Sequence, residues 1–531
     1  EIFYDAGLRL SGSQRARPVS ARLAYSVAFP ADNLFRDVHS GITLDRSEST
    51  GFGQRETLYH HGMNHSGGLP SEYNDLFQII APVKTYTGSA EAQMSRYSDV
   101  YLDSQYENGS TGQLYEYELV YYPTTTNDRT PEGLKLPEPD SVVGTSFRNL
   151  GDSKEDYRWT FLNKSNRNQD DYTRIMEFSR AMATSTRTFN DVIGDYVDVD
   201  QWLRAYAFSV ITGHGDNYGA DGSQHNLQLY VRPSDNRVLF LPHDLDAFFD
   251  ARRPLLGGNG DLRKFIRDLS NAHNYYGHVY DMLQTTFNEE YMTHWTDMYQ
   301  RLLPAQRFDS HLSQLVTRTN FLLGELNKAL APTVFAADAD NYTSTELVSD
   351  VTGTGWFDVR EIRMAGRDEP LPLKWTTLGQ WQVGVTLPRG THDIVLQAYD
   401  FQANLIGEVS VRVTNQGGDI DGDGALTVAD IDAVCAIVRS GGSLDLNGDG
   451  LTDVADVRTQ VQDLMHTKIG DVNLDGVFNS SDLVLVFQRG EYEDAIVGNS
   501  SWADGDWNCD GEFSSSDFVL AFEAGGYGDV E

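Results

Sequence analysis

Four residues, Asp216, Asn226, Asp244 and Asp246, have the types and the order needed to hold a divalent cation beside a reacting group. The last two stand in 241-LPHDLDAFFD-250, directly after an apolar run. Upstream, 226-NLQLYV-231 alternates as a strand, 232-RPSDN-236 turns, and 237-RVLFLP-242 returns as a second strand. Antiparallel pairing with Asn226 facing about Pro242 places Asp244 one strand spacing, roughly 5 Å, from Asn226. Asp216 enters at the same end from the Gly/Asp-rich stretch 214-HGDNYGADGS-223. An amide oxygen with a few carboxylates suits magnesium, which keeps several waters. Two other readings stay open. An acidic pair can simply end a strand in solvent. Alternatively, Asp216 opposite Asp244 or Asp246 could flank a sugar, as paired carboxylates do in glycoside hydrolysis.

A second set of oxygen ligands repeats in the tail: 419-DIDGDGALTVAD-430, 445-DLNGDGLTDVAD-456, 471-DVNLDGVFNSSD-482 and 506-DWNCDGEFSSSD-517. Each loop has ligands at positions 1, 3 and 5, Gly at 6, a backbone carbonyl at 7 and Asp at 12, which is calcium spacing. The first loop offers Asp419, Asp421, Asp423, Ala425 and Asp430; the second Asp445, Asn447, Asp449, Leu451 and Asp456. The third offers Asp471, Asn473, Asp475, Val477 and Asp482; the fourth Asp506, Asn508, Asp510, Glu512 and Asp517. Amphipathic segments such as 482-DLVLVF-487 follow the loops, and no helix precedes Asp419.

Those loops account for the charge. The 531 residues carry a net charge of −37, and about 20 of those negative charges fall after residue 415. Such a balance excludes nucleic acid and anionic membranes as partners. No apolar run is long enough to span a bilayer. The chain begins at Glu1 without Met, as a processed or trimmed N-terminus does, and shows no signal peptide. Cys435 and Cys509 are the only cysteines; they make no disulfide framework and leave the redox compartment open.

The elements that must position these groups follow from pattern. Residues 1–330 read as a mixed α/β domain, with strands at 22–29, 76–83 and 114–122 and a polar loop over 123–140. Helical periodicity covers 170–183, 198–213, 262–269, 278–287, 289–303 and 309–330. Asp198 and Gln201 have capping-box spacing at the start of the second of these, and Gly213 ends it. Residues 340–415 alternate as short strands, a small β-sandwich of immunoglobulin-like type. The tail divides into loop pairs at 416–468 and 469–531.

Asp at position 12 and the missing entry helix resemble the dockerin type I repeat. That resemblance implies a calcium-folded loop–helix module, a cohesin-type scaffold as partner, and a secreted or cell-surface protein. The order loop Asp, Asn, then Asp across a hairpin is the one protein kinases use to orient a hydroxyl and hold magnesium on phosphates. The run 198–250 is similar to the CotH family of spore-coat-type atypical kinases, as are 7-GLRLSGSQRARP-18, 109-GSTGQLYEYELVYY-122, 151-GDSKEDYRWTFLNKSNR-167 and 281-DMLQTTFNEEYMTHW-295. The resemblance spans residues 1–330. It implies a protein-kinase-like α+β fold, ATP with magnesium, and transfer of phosphate to a protein hydroxyl. Asp216 would be the catalytic or positioning carboxylate, Asn226 and Asp244 magnesium ligands, and Asp246 a second ligand or support. Where the family carries Lys after the opening Pro, this chain has Val19-Ser20, leaving Arg9, Arg15, Arg17 or Arg22 for phosphate, with Arg9 and Arg22 foremost. His243 stands where the family's usual aromatic precedes the last motif. A catalytically inactive CotH fold serving structure or adhesion is the alternative, and a dockerin-bearing carbohydrate-active enzyme the third reading.

Overall fold

The computed structural model describes residues 2–11, 24–45, 55–84, 87–95, 97, 99–117, 120–121, 142–143, 147–158, 160–215, 217–221, 226–243, 245, 249–302, 304, 307–344, 348–387, 390–415, 417–423 and 425–528. It is a mixed α/β, multidomain protein with several separate sheets.

The chain opens with β1 (Gly7–Ser11), β2 (Ala24–Ala28), β3 (Gly41–Asp45), α1 (Arg55–His65), β4 (Tyr73–Ile79) and β5 (Gly88–Ser95). These strands form one antiparallel sheet in the order β1-β2-β3-β5-β4, with α1 packed along β4. Next come α2 (Asp99–Gln105), β6 (Gln113–Tyr117), a two-stranded ribbon of β7 (Val120–Tyr121) and β8 (Val142–Val143), α3 (Lys154–Tyr157) and β9 (Phe161–Asn163). Helices α4 (Thr173–Met182), α5 (Phe189–Val192), α6 (Val199–Ile211) and α7 (Tyr218–Asp221) lead into β10 (Leu227–Val231) and β11 (Val238–Pro242). A second sheet has the order β11-β10-β6-β9, and all ten residues of β10 and β11 are buried. Helices α8 (Gly260–Phe265), α9 (Leu269–Thr285), α10 (Glu289–Leu302) and α11 (Asp309–Ala329) complete this part.

Helix α6 is the central element. Its apolar residues Trp202, Leu203, Tyr206, Ala207, Val210 and Ile211 are buried in the largest core. Asp198 caps it by accepting the Gln201 N–H. The reciprocal half of the expected capping box is absent, because the Gln201 amide is used elsewhere. It donates to Phe240 O at 2.6 Å and accepts Phe240 N–H at 3.0 Å, while Trp202 Nε1 donates to Val238 O at 2.7 Å. Strand β11 is the sheet's edge, and these side chains satisfy backbone groups that would otherwise be buried unpaired.

After α11 come β12 (Ala336–Ala337), β13 (Asn341–Ser344), β14 (Val348–Thr354), β15 (Glu361–Met364), β16 (Leu373–Trp375), β17 (Gln380–Thr386), β18 (Gly390–Tyr399) and β19 (Leu405–Asn415). They build two four-stranded sheets, β12-β14-β17-β16 and β13-β19-β18-β15, around one apolar core. The alternation read from the sequence is the inward/outward alternation of these strands, as in β17. The tail adds α12 (Val428–Ser440), α13 (Val454–Arg458), α14 (Ser480–Arg489) and α15 (Ser515–Glu523), one after each acidic loop. Apolar residues from all four loop–helix units share one core, running from Ile431 to Ala521. Cys435 and Cys509, which promised no framework, are disulfide-bonded to each other across it. Among the described residues no helix is long and apolar enough to cross a membrane.

Candidate functional site

The β10–β11 hairpin forms, one residue out of the expected register. Leu227, not Asn226, faces Pro242. Asn226 adopts a left-handed conformation (φ 59°) that turns the chain just before the ladder begins, a conformation Asn tolerates better than most residues. Its carbonyl accepts His243 N–H at 3.2 Å. Asn226 is therefore held opposite His243, the residue before Asp244.

Asp216, Asp244, Asp246 and Arg22 lie outside the described residues, as do Arg15 and Arg17. The chain on either side of them is tightly held. Asp250 N–H donates to Gly213 O at 2.9 Å. Gly213 has φ 71°, and a Cβ there would meet Asp250 O at 2.9 Å, so the close approach needs glycine. Arg318 of α11, 1% exposed, clamps the same place. Its guanidinium donates to Val210 O at 2.6 Å and Ile211 O at 3.4 Å, to Ala251 O at 3.2 Å, and to Arg253 O. A cation on the last carbonyls of α6 also meets the negative end of the helix dipole. Arg318 thus ties the end of α6, five residues before Asp216, to the segment after Asp246.

Helix α1, which apolar periodicity does not reveal, supplies a polar face to this region. Glu56 and His60 are each 1% exposed. The Glu56 carboxylate accepts Leu245 N–H at 3.4 Å, from the residue between Asp244 and Asp246. His60 Nε2–H donates to Glu56 Oε1 at 3.1 Å, and Ser71 Oγ–H donates to His60 Nδ1. Burial, with His243 and His214 nearby, pushes His60 down to about 3, so the ring is neutral and this assignment of its one proton follows. Tyr59 packs edge-on against His214 at 5.0 Å. Glu72, 1% exposed, lies 3.5 Å from His243 Nδ1. The signal that could have exposed this cluster is the histidine and acid content of 55-RETLYHHGMNH-65, which alternates with too few apolar residues to show a buried face. Arg9 stands exposed on β1, at the edge of the five-stranded sheet opposite β4.

Residues 92–344 match the protein family described as CotH kinase protein. The chain carries a CotH-family domain. No curated protein matches the chain. The CotH match spans the second sheet, the hairpin, the held loops and all of α6 to α11, and it begins after the segment that bears Arg9 and α1.

The CotH domain is docked on the sandwich. His273 of α9 stacks on Trp375 with ring centroids 3.3 Å apart. Arg360 reaches Asp200 of α6 at 2.8 Å, and the same Asp200 oxygen accepts from His278 Nε2 at 2.8 Å. Trp356 and Phe357 of the sandwich belong to the CotH domain's core.

The four acidic loops share one construction. The first-position carboxylate accepts N–H groups from later in its loop: Gly422 for Asp419, Gly450 for Asp445, Gly476 for Asp471 and Gly511 for Asp506. Position 9 caps the exit helix, and the position-12 Asp completes a capping box in every loop, at Thr427–Asp430, Asp453–Asp456, Asn479–Asp482 and Ser514–Asp517. All four position-12 carboxylates are fully buried. In the first loop, carboxylate oxygens of Asp419, Asp421 and Asp423 lie within 4.8 Å of one another. Burial pushes Asp506 up to about 7, although the Gly511 N–H and the Arg439 guanidinium act to lower it. This donor set fits a hard divalent cation, with Ala425, Leu451, Val477 and Glu512 at the carbonyl position.

Proposed function

We propose that this protein is a CotH-type phosphotransferase that uses ATP with magnesium to phosphorylate a protein hydroxyl. The observation that carries the reading is the hairpin end, where left-handed Asn226 is bonded to His243 and Glu56 receives the N–H between the two aspartates. Asn226 and Asp244 would hold magnesium, Asp216 would orient the hydroxyl, and Asp246 would support the ion. Magnesium, when bound, neutralises phosphate charge. Arg9 and Arg22 are the proposed phosphate contacts. The domains proposed are a CotH domain over 1–330, an immunoglobulin-like sandwich over 340–415, a dockerin-like calcium pair over 416–468 and a second, EF-hand-like calcium pair over 469–531. The disulfide supports an oxidising, extracellular location, where calcium would load the tail and a cohesin-type scaffold could receive it.

The test uses the full chain, because Trp356 and Phe357 complete the CotH core. Incubation with labelled ATP and magnesium should label the protein or an added acceptor, and Asp244→Ala should abolish it. Absence of both labelling and nucleotide binding overturns the reading. It would leave the second one, an inactive structural CotH fold, which the replacement of the family's Lys by Val19 favours.

A further inference from the structure

Among the described residues, the fourth loop is braced in a way the other three are not. Helix α12, which leaves the first loop, turns one face toward it, with contacts at Asp432, Cys435 and Arg439. Asp432 Oδ1 accepts Trp502 N–H at 2.8 Å, just before the loop. Cys435 is disulfide-bonded to Cys509, and Arg439 donates to Asp506 Oδ2 at 2.8 Å. Two of these partners are loop residues, since Asp506 is its first position and Cys509 its fourth.

Both contacts bear on ligand geometry. Asp506 is 1% exposed. Its Oδ2 is taken by Arg439 and by Gly511 N–H, while Oδ1 has no hydrogen-bond partner among the described residues. Position 4 is left-handed in every loop: Gly422 (φ 77°), Gly448 (φ 79°), Leu474 (φ 56°) and Cys509 (φ 64°). Glycine adopts that conformation freely, whereas a side chain must be held there. Leu474 is held by packing against the tail core, and Cys509 by a covalent bond to α12.

Resting on the calcium reading of the loops, we propose that α12 is a brace that builds the fourth cation site. The disulfide holds Cys509 in the left-handed turn between ligands Asn508 and Asp510. Arg439 pins one oxygen of Asp506 so that the other faces the ion. Cys435 and Arg439 are thus positioning residues for a hard divalent cation of the calcium class, although they lie outside the fourth loop.

Trp507, the second residue of that loop and fully buried, gives a local readout. Terbium, a calcium substitute in oxygen sites, luminesces when excited through a neighbouring indole, and Trp507→Phe supplies the background from Trp502. In the full chain, Cys435→Ala/Cys509→Ala should bind terbium at the fourth loop about tenfold more weakly or worse. Calorimetry should find calcium affinity at the other three loops unchanged. Unaltered terbium affinity overturns the brace, and so does an equal loss at all four loops. If the double variant does not fold, the wild-type chain is reduced instead by a dithiol. The reductant gives two electrons and two protons to the S–S bond, leaving two protein thiols and becoming a cyclic disulfide. The same selective loss, with far-UV ellipticity retained, is expected. A wild-type chain that takes up no calcium at all would instead overturn the calcium reading, a result distinct from uptake that ignores the disulfide.

Discussion

Leu245 N–H donates to the Glu56 carboxylate at 3.4 Å, across 189 residues of chain. One hydrogen bond therefore ties the polar face of α1 to the residue between Asp244 and Asp246. The carboxylate is shared with neutral His60, which is itself fixed by Ser71. Removing it with Glu56→Ala leaves a buried N–H and an imidazole without their acceptor, a loss of about 1–3 kcal/mol in stability. Supporting groups around a metal–phosphate site usually matter more for the ligand than for the fold. If the hairpin end binds magnesium and ATP as proposed, that affinity, measured by calorimetry, should fall about 10-fold or more. Equal nucleotide binding by wild type and variant would detach α1 from the site.

Gly277 of α9 lies against the sandwich, and two effects of Gly277→Ala oppose each other. Alanine in a helix interior gains about 1 kcal/mol over glycine. A Cβ here, however, would meet the Phe401 ring at 2.3 Å and Phe357 O at 2.7 Å. The ring can rotate away, but the carbonyl is backbone and cannot yield without separating the two domains. Overpacking of this kind costs about 1–3 kcal/mol, so the variant should melt several degrees lower in a thermal scan. A raised melting temperature would show that the interface is loose.

The acid sensitivity of the same interface has a defined sign. His278 is fully buried, and burial pushes it down to about 4, opposed by Asp200 and aided by Arg204 and Arg360. Between that value and the unfolded value near 6.5 the unfolded chain binds the extra proton, so stability falls as pH falls through this window and levels off below it. The full effect is on the order of 3 kcal/mol. Burial raises the Asp200 carboxyl, but His278 and Arg360 outweigh it and hold it well below the usual range. Its contribution is lost only at lower pH still. Denaturant titrations at saturating calcium should show His278→Gln with a flatter slope between pH 6.5 and 4; parallel slopes would refute the assignment.

The elements that were legible in the sequence are those whose burial is apolar. Helix α6, the β10–β11 pair and the strands of the sandwich each carry their period in Leu, Val, Trp and Tyr residues, and each forms near its expected bounds. Helix α1 was hidden because Glu56, Thr57 and His60 are among the residues it buries. The one-residue register error came from Asn226, whose left-handed backbone ends the strand where alternation alone continues it. The Gln201 amide was assigned to its own helix end, yet it serves strand β11, a partner 39 residues away that spacing cannot reveal. Arg318 was invisible for the same reason: its four carbonyl acceptors come from two distant segments. Distant pairing likewise hid the disulfide, which joins the exit helix of the first loop to the fourth loop across 74 residues.

Removing divalent cations should unfold the tail even with that disulfide intact. Asp430, Asp456, Asp482 and Asp517 are all fully buried, and among the described residues their hydrogen bonds come from backbone N–H groups and the Ser514 hydroxyl. A buried carboxylate without a counter-cation costs several kcal/mol, only part of which the N–H groups at the helix starts return, and the surrounding tail repels itself with about 20 net negative charges. A single disulfide returns about 2–4 kcal/mol, so it cannot offset four such carboxylates. Addition of EDTA to the full chain should therefore lower helical ellipticity and expose Trp502 and Trp507 to solvent quenchers, and excess calcium should reverse both. Because α12 to α15 all begin at capping boxes that use the same aspartates, the helices and the loops should be lost together in one transition. An unchanged far-UV spectrum and unchanged indole fluorescence in EDTA would contradict the calcium assignment.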